Sequence, residues 1–151
     1  MQNIIMRPVG HVSNTVTTKK DTAWGTDIST IFLDEAYHTG LAGLETFSHA
    51  IIICYLDKAK YIPEKHLQRR PQGREDMPIV GIFSQRTKDR PNPIGVTSVE
   101  ILAVDDRSIT VKGLDAIDGT PVLDIKPYYP VFDKRNATTP GWVDLLMEHY
   151  F

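Results

Sequence analysis

The run HAIIICYL, His49 to Leu56, constrains the fold of this chain more than any other segment. Its consecutive isoleucines lose rotamer freedom in a helix and pack well on a pleated surface, so the run reads as a strand. No charged side chain interrupts it after His49, the pattern of a strand covered on both faces. We therefore expect it at the centre of a sheet, with Cys54 inside as a small buried hydrophobe rather than a nucleophile.

Further strand signals lie on both sides. Ile4 to Val12 is a mixed apolar stretch interrupted by Pro8, and it leads into a polar loop from Ser13 to Asp21. Ile28 to Leu33 is compatible with an alternating strand, and Ile79–Ser84, Val96–Val104, Ser108–Lys112 and Val122–Lys126 carry similar signals. Asp105-Asp106-Arg107 reads as a tight hairpin and Asp118-Gly119 as a turn that needs positive φ. Helical signals are few: a short helical or turn region over Asp34–Leu44, broken by Gly40 and Gly43, and a helix after Thr139-Pro140. There Thr139 serves as cap, and Trp142, Val143, Leu146, Met147 and Tyr150 form an apolar stripe. Strands do not alternate with helices, and Gly40-Leu-Ala-Gly43 lacks the spacing of a dinucleotide fingerprint, which excludes a doubly wound nucleotide fold. With 151 residues, 41% of them apolar and 24% charged, the chain is the size of one soluble domain. The expectation is a mainly β, single-sheet, barrel-like domain over residues 1–151, with short peripheral helices and a short C-terminal helix.

One cysteine excludes an intramolecular disulfide or a cysteine zinc cluster and fits a reducing compartment. No signal-peptide h-region opens the chain and no apolar run spans a bilayer, so a cytoplasmic protein without membrane contact is expected. His11, His38, His49 and His149 show no ligand spacing, and no metal site is expected. At a net charge of −2, a nucleic-acid partner would need a local basic patch.

Three segments carry chemistry. In RTKDRPNPIG, Arg86 to Gly95, two prolines hold Arg90 and Asn92 extended and make a stiff ledge between strands. Arg86, Arg90 and Asn92 on such a ledge lose little backbone freedom on binding, and a guanidinium suits carboxylate or phosphate. The same prolines equally suit an edge connection that blocks sheet growth, its arginines merely solvated. In GLDAIDGTPVLDIKPYYP, Gly113 to Pro130, strand alternation puts Val122, Asp124 and Lys126 on one face. Asp124 and Lys126 read as a surface ion pair and Asp118 as a turn residue, or else Asp115 and nearby backbone groups line a pocket facing a cation or an adenine amine. The third segment is a loop over Asp57–Pro78 in which Lys58, Lys60, Lys65, Arg69, Arg70 and Arg74 face only Glu64 up to position 74. With Tyr61 and His66 it is either a solvated loop or a surface for single-stranded RNA.

Three motifs together resemble the TrmO family, also called the TsaA-like or VirR-like domain: GLETFSH from Gly43 to His49, GIFSQRTKDRPNPIG from Gly81 to Gly95, and LDAIDGTPVLDIKPYYP from Leu114 to Pro130. The resemblance implies a methyltransferase that uses S-adenosyl-L-methionine (SAM) as methyl donor, on a barrel-like fold, working as a homodimer with SAM near the subunit interface. Family members of known activity look like tRNA N6-methyltransferases acting on threonylcarbamoyladenosine beside the anticodon. Carried over by position, Arg86, Val96, Leu114, Asp115, Asp57 and Lys58 fall at cofactor contacts, and the segment around Trp24 and Gly25 matches a further contact region. Asp115 and Asp118 are the candidate bases, and Arg90, Asn92, Arg69, Arg70 and Lys126 the candidate substrate contacts. The second, C-terminal domain of the long members is expected to be missing from residues 1–151. A small-molecule methyltransferase on the same scaffold and a noncatalytic SAM-binding module stand as alternatives.

Overall fold

The computed structural model describes residues 1–151. Six strands close into a barrel: β1 (Gly10–Ser13), β2 (Ile28–Leu33), β3 (His49–Tyr55), β6 (Ile94–Val104), β7 (Ser108–Lys112) and β8 (Pro121–Pro127). Around the barrel their order is β1-β2-β7-β6-β3-β8, every neighbouring pair antiparallel. A barrel this narrow has its interior filled by side chains. Val12, Ile31, Ile52, Ile109, Val111 and Val122, all at 0% exposure, supply that filling.

The strand β3 lies between β6 and β8, as its apolar run predicts, but it is not covered on both faces. Ala50, Ile52 and Cys54 are buried, while Ile51 and Ile53 are half-covered on the outer wall and His49 and Tyr55 are exposed. A barrel has one interior, so even an all-apolar strand is buried on alternate residues only. A second correction concerns β8. Ile53 pairs with Asp124 and Cys54 with Val122, so Leu123 is an extra residue on β8, a bulge. The bulge breaks the alternation: Val122 faces the core beside Cys54, while Asp124 faces outward beside Ile53. Asp124 and Lys126 do share the outer face, where they form an ion pair at 2.9 Å.

Outside the barrel, the basic loop is more ordered than a coil. It contains a helical turn, α1 (Pro63–His66), and β4 (Gln68–Arg69), which pairs with β5 (Val80–Gly81) in a separate two-stranded ribbon. Ile79–Ser84 therefore holds only this short strand, followed by a 3-10 turn over Ile82–Ser84. Pro71, Met77 and Ile82, beside this ribbon, are buried although they lie outside the barrel core. The first strand begins after Pro8 at Gly10, leaving Ile4 and Ile5 exposed. After β8 come α2 (Pro130–Asp133) and α3 (Gly141–Met147). Pro140, not Thr139, holds the cap position of α3, without a side-chain cap, and no residue of this helix is buried. No helix is long and apolar enough to cross a membrane.

Candidate functional site

Gln85 shows how the chain presents Arg86. Its side chain is buried, and its Nε2 donates to the carbonyls of Val80 (3.1 Å) and Arg69 (3.2 Å), tying the end of the 3-10 turn to the ribbon. The next residue, Arg86, is exposed and donates from Nη2 to the carbonyl oxygen of Val96 at 2.5 Å. The ledge joins the two: Leu56 N–H donates to Pro93 O at 2.8 Å, and a Cβ at Gly95 would meet the Leu56 side chain at 3.2 Å. Asp89 adds a further tie by accepting from the Lys60 N–H at 2.9 Å. The ledge is thus packed onto the end of β3, close to Asp57 and Lys58, and Lys58 O accepts from Lys19 Nζ at 2.6 Å.

Asp115 reaches the same mouth of the barrel from the segment between β7 and β8. Leu114 and Ala116 on either side of it are buried. Thr97, next to Val96, points into the barrel opposite Ile52 and donates its hydroxyl to Asp115 Oδ1. The Tyr150 hydroxyl donates to Asp115 Oδ2 at 2.6 Å. Both carboxylate oxygens are therefore held. Burial first, then the Asp115 charge, pushes the Cys54 thiol up to about 12. Burial first, then the charge and hydrogen bond of Asp115, drives the Tyr150 phenol far above its ordinary range, with Arg86 pulling weakly the other way. Tyr150 thus feels both the anion and the cation of the site.

Asn14 fixes the segment that follows Asp115. Its Nδ2 donates to Ser29 Oγ (2.9 Å) and Ala116 O (2.8 Å), its N–H to Asp118 Oδ1 (3.0 Å), and its Oδ1 accepts from Val16 N–H (3.0 Å). Asp118 is exposed on the turn, with Gly119 at φ 82° as the turn requires. Trp24 is 3% exposed, its N–H donates to Tyr150 O at 2.8 Å, and its indole Nε1 has no partner.

Of the residues the sequence singled out, Arg86, Val96, Leu114 and Asp115 come together, with Asp57 and Lys58 beside the ledge. The cations named for substrate are more dispersed and several are engaged. Arg90 Nη1 donates to Gln85 O at 2.9 Å, Arg69 Nη2 to Thr87 Oγ1 at 3.1 Å, and Arg70 Nη1 to Met77 O. Lys126 pairs with Asp124 on the outer wall, and Asn92 is exposed at the tip of the ledge. The motif from Gly43 to His49 lies elsewhere: Gly43, Leu44 and Phe47 help line an apolar cleft of about 450 Å³ with Val9, Leu33 and Asp124. That cleft has a carboxylate but no cation, whereas the Arg86–Asp115 site has both. Sequence reasoning missed Thr97 and the role of Tyr150. Thr97 left a trace, as the one polar residue in the inward series Thr97, Val99, Ile101 of β6; Tyr150 left none.

The fold and this mouth, with a guanidinium and a carboxylate gathered at it, define a closed six-stranded β-barrel domain. The chain belongs to the family described as the tRNA-methyltransferase O N-terminal domain, whose model matches residues 15–134. Among its relatives, a S-adenosyl-L-methionine-binding protein of Archaeoglobus fulgidus is 36% identical over 137 residues, covering 88% of this chain and 95% of that protein. A probable S-adenosyl-L-methionine-binding protein of Pyrococcus abyssi is 34% identical over 146 residues, 93% of this chain and 77% of the relative. The human tRNA (adenine(37)-N6)-methyltransferase is 33% identical over 149 residues, 91% of this chain but only 33% of the human protein. A crystal structure of TrmO from P. aeruginosa superposes with a TM-score of 0.77 at 25% identity, covering 95% of this chain and 63% of the other.

Proposed function

We propose that this protein is a cytoplasmic, homodimeric SAM-dependent tRNA methyltransferase that methylates the N6 position of threonylcarbamoyladenosine beside the anticodon. The observation that carries the reading is the gathering of Arg86, Val96, Leu114 and Asp115 at one mouth of a barrel of this family. The donor set suits the cofactor. A guanidinium with N–H groups beyond the one given to Val96 can take a carboxylate, and a carboxylate can accept from hydroxyl or amine groups. The unpartnered indole N–H of buried Trp24 is a further donor in the same neighbourhood.

When bound, SAM would supply an electrophilic methyl group on a sulfonium, whose C–S bond breaks to release a neutral thioether, a good leaving group. The protein's task is then alignment of the acceptor nitrogen and exclusion of water, an entropic contribution that a stiff ledge and a closed barrel serve. Arg86 and Asp115 would hold the charged groups of the cofactor, and Asp57 and Lys58 would close the side next to the ledge. The carbamoylated N6 must lose its proton, so a carboxylate within reach assists. Asp115 is fixed by two hydroxyl donors, the property of an anchor, while Asp118 is exposed with only Oδ1 accepting a protein hydrogen bond. Of the two candidate bases, Asp118 is therefore our choice to take the proton, because its Oδ2 has no protein partner. Asn92, with Arg90 behind it, orients the acceptor, and Arg69, Arg70 and Lys126 contribute positive charge. Val96, Ile94 and Tyr55, exposed on the outer wall of β6 and β3, offer apolar surface to a second copy.

A second reading, a SAM-binding module without turnover, is favoured by the relatives of similar length, which are named only for binding. One experiment separates the two. Radiolabelled methyl from SAM is expected to enter tRNA that carries threonylcarbamoyladenosine and not tRNA lacking it. Labelling of neither, with SAM bound, points to the module; equal labelling of both rejects the proposed acceptor.

A further inference from the structure

The segment from Gly141 to Phe151 ends on the very carboxylate assigned to the cofactor. Its last turn is strapped to the N-terminal loop by Ala23 N–H to His149 O and Trp24 N–H to Tyr150 O, each at 2.8 Å. Gly25 makes room for it: a Cβ there would lie 2.6 Å from the Phe151 carbonyl carbon. From this strap the Tyr150 phenol reaches in and takes Asp115 Oδ2 at 2.6 Å, with Thr97 already on Oδ1. The rest of the segment is weakly held. No residue of α3 is buried, and Leu145 and Met147 are exposed. Elements with little buried surface are those that open at low cost.

We propose that Gly141–Phe151 is an autoinhibitory latch, in which Tyr150 occupies the place on Asp115 that SAM takes, so that cofactor binding and latch docking exclude one another. The inference rests on the cofactor reading of Arg86 and Asp115. Its physical basis is that a neutral phenol stands where the charged ends of an amphoteric ligand would be recognised. The latch lowers the apparent affinity by the fraction of molecules that are open. Anything that draws the segment away, such as a bound tRNA or a second copy, then raises cofactor affinity by the same factor.

Two measurements on the full chain test it. By calorimetry, Tyr150→Phe, which removes the hydrogen bond to a charged group, is expected to bind SAM about tenfold more tightly than the wild-type protein. By amide hydrogen exchange, the Ala23 and Trp24 amides are expected to exchange faster when SAM is added, because their acceptors on the latch depart. Equal or weaker binding by the variant, or amides that are unchanged or slowed by SAM, would overturn the latch and leave the cofactor site standing. Absence of SAM binding by both proteins would overturn the site and the latch together.

Discussion

Cys54 lies between Gly95 on β6 and Val122 on β8, inside the barrel, and its thiol is held up at about 12 against an ordinary value of 9.0. Above pH 9 the unfolded chain releases a proton that the folded protein keeps, so unfolding becomes more favourable as pH rises towards 12. The slope approaches about 1.4 kcal/mol per pH unit for one such group. Tyr150 acts in the same direction, with an onset above the ordinary phenol value. Thermal melts between pH 8 and 11 should therefore fall more steeply for the wild-type protein than for Cys54→Ala. Parallel curves would mean that the thiol ionises freely in the folded state. The burial of Cys54 was legible in its run of isoleucines. The charge above it was not, because Asp115 reaches the barrel mouth from 61 residues further along the chain. Tyr150 read as one more member of a helical stripe; its engagement with Asp115 depends on a tertiary strap that no local pattern encodes.

At the scale of elements, four of the barrel strands, β2, β3, β7 and β8, fall within a residue of where β-branched runs and turn signals place them. Those signals are local, which is why they are readable. What the sequence hid were the features set by pairing: the bulge at Leu123, the half-exposed outer face of β3, and the close approach of β1 to β2. Gly10 is the clearest case of the last. It pairs with Leu33, and a Cβ on it would stand 2.2 Å from the Phe32 carbonyl oxygen. The obstacle is backbone in a paired strand, so the two strands must separate to admit even a methyl group. Gly10→Ala is expected to cost about 2 kcal/mol, as overpacking does, and to lower the melting temperature by about 5 °C. Gly40→Ala, whose Cβ would meet nothing within 4 Å, is the control and should leave the melt nearly unchanged. Equal shifts in both would show that β1 is not tightly paired.

The whole molecule carries a net charge of −2, so a polyanion is attracted to part of the surface and not to the protein as a body. The basic loop is that part, yet most of its cations are already engaged. Arg74 is bound to Asp76 at 2.6 Å, and each partner holds the other in its charged form; Lys58 leans towards Asp57 at 3.6 Å. Arg69 and Arg70 each direct a donor into the ribbon. Lys60 and Lys65 are exposed and form no ion pair, which makes them the loop's ammonium groups free to displace counterions from RNA. Each phosphate neutralised on a single-stranded loop contributes about 0.7 to the slope of log K against log salt. Replacing both lysines with alanine is therefore expected to weaken tRNA binding and reduce that slope by about 1.4. SAM affinity should stay at the wild-type value, since neither side chain belongs to the Arg86–Asp115 site. A salt slope unchanged in the double variant would move the RNA to another face, with the outer-wall Lys126, already paired to Asp124, a poor substitute for two unpaired ammonium groups.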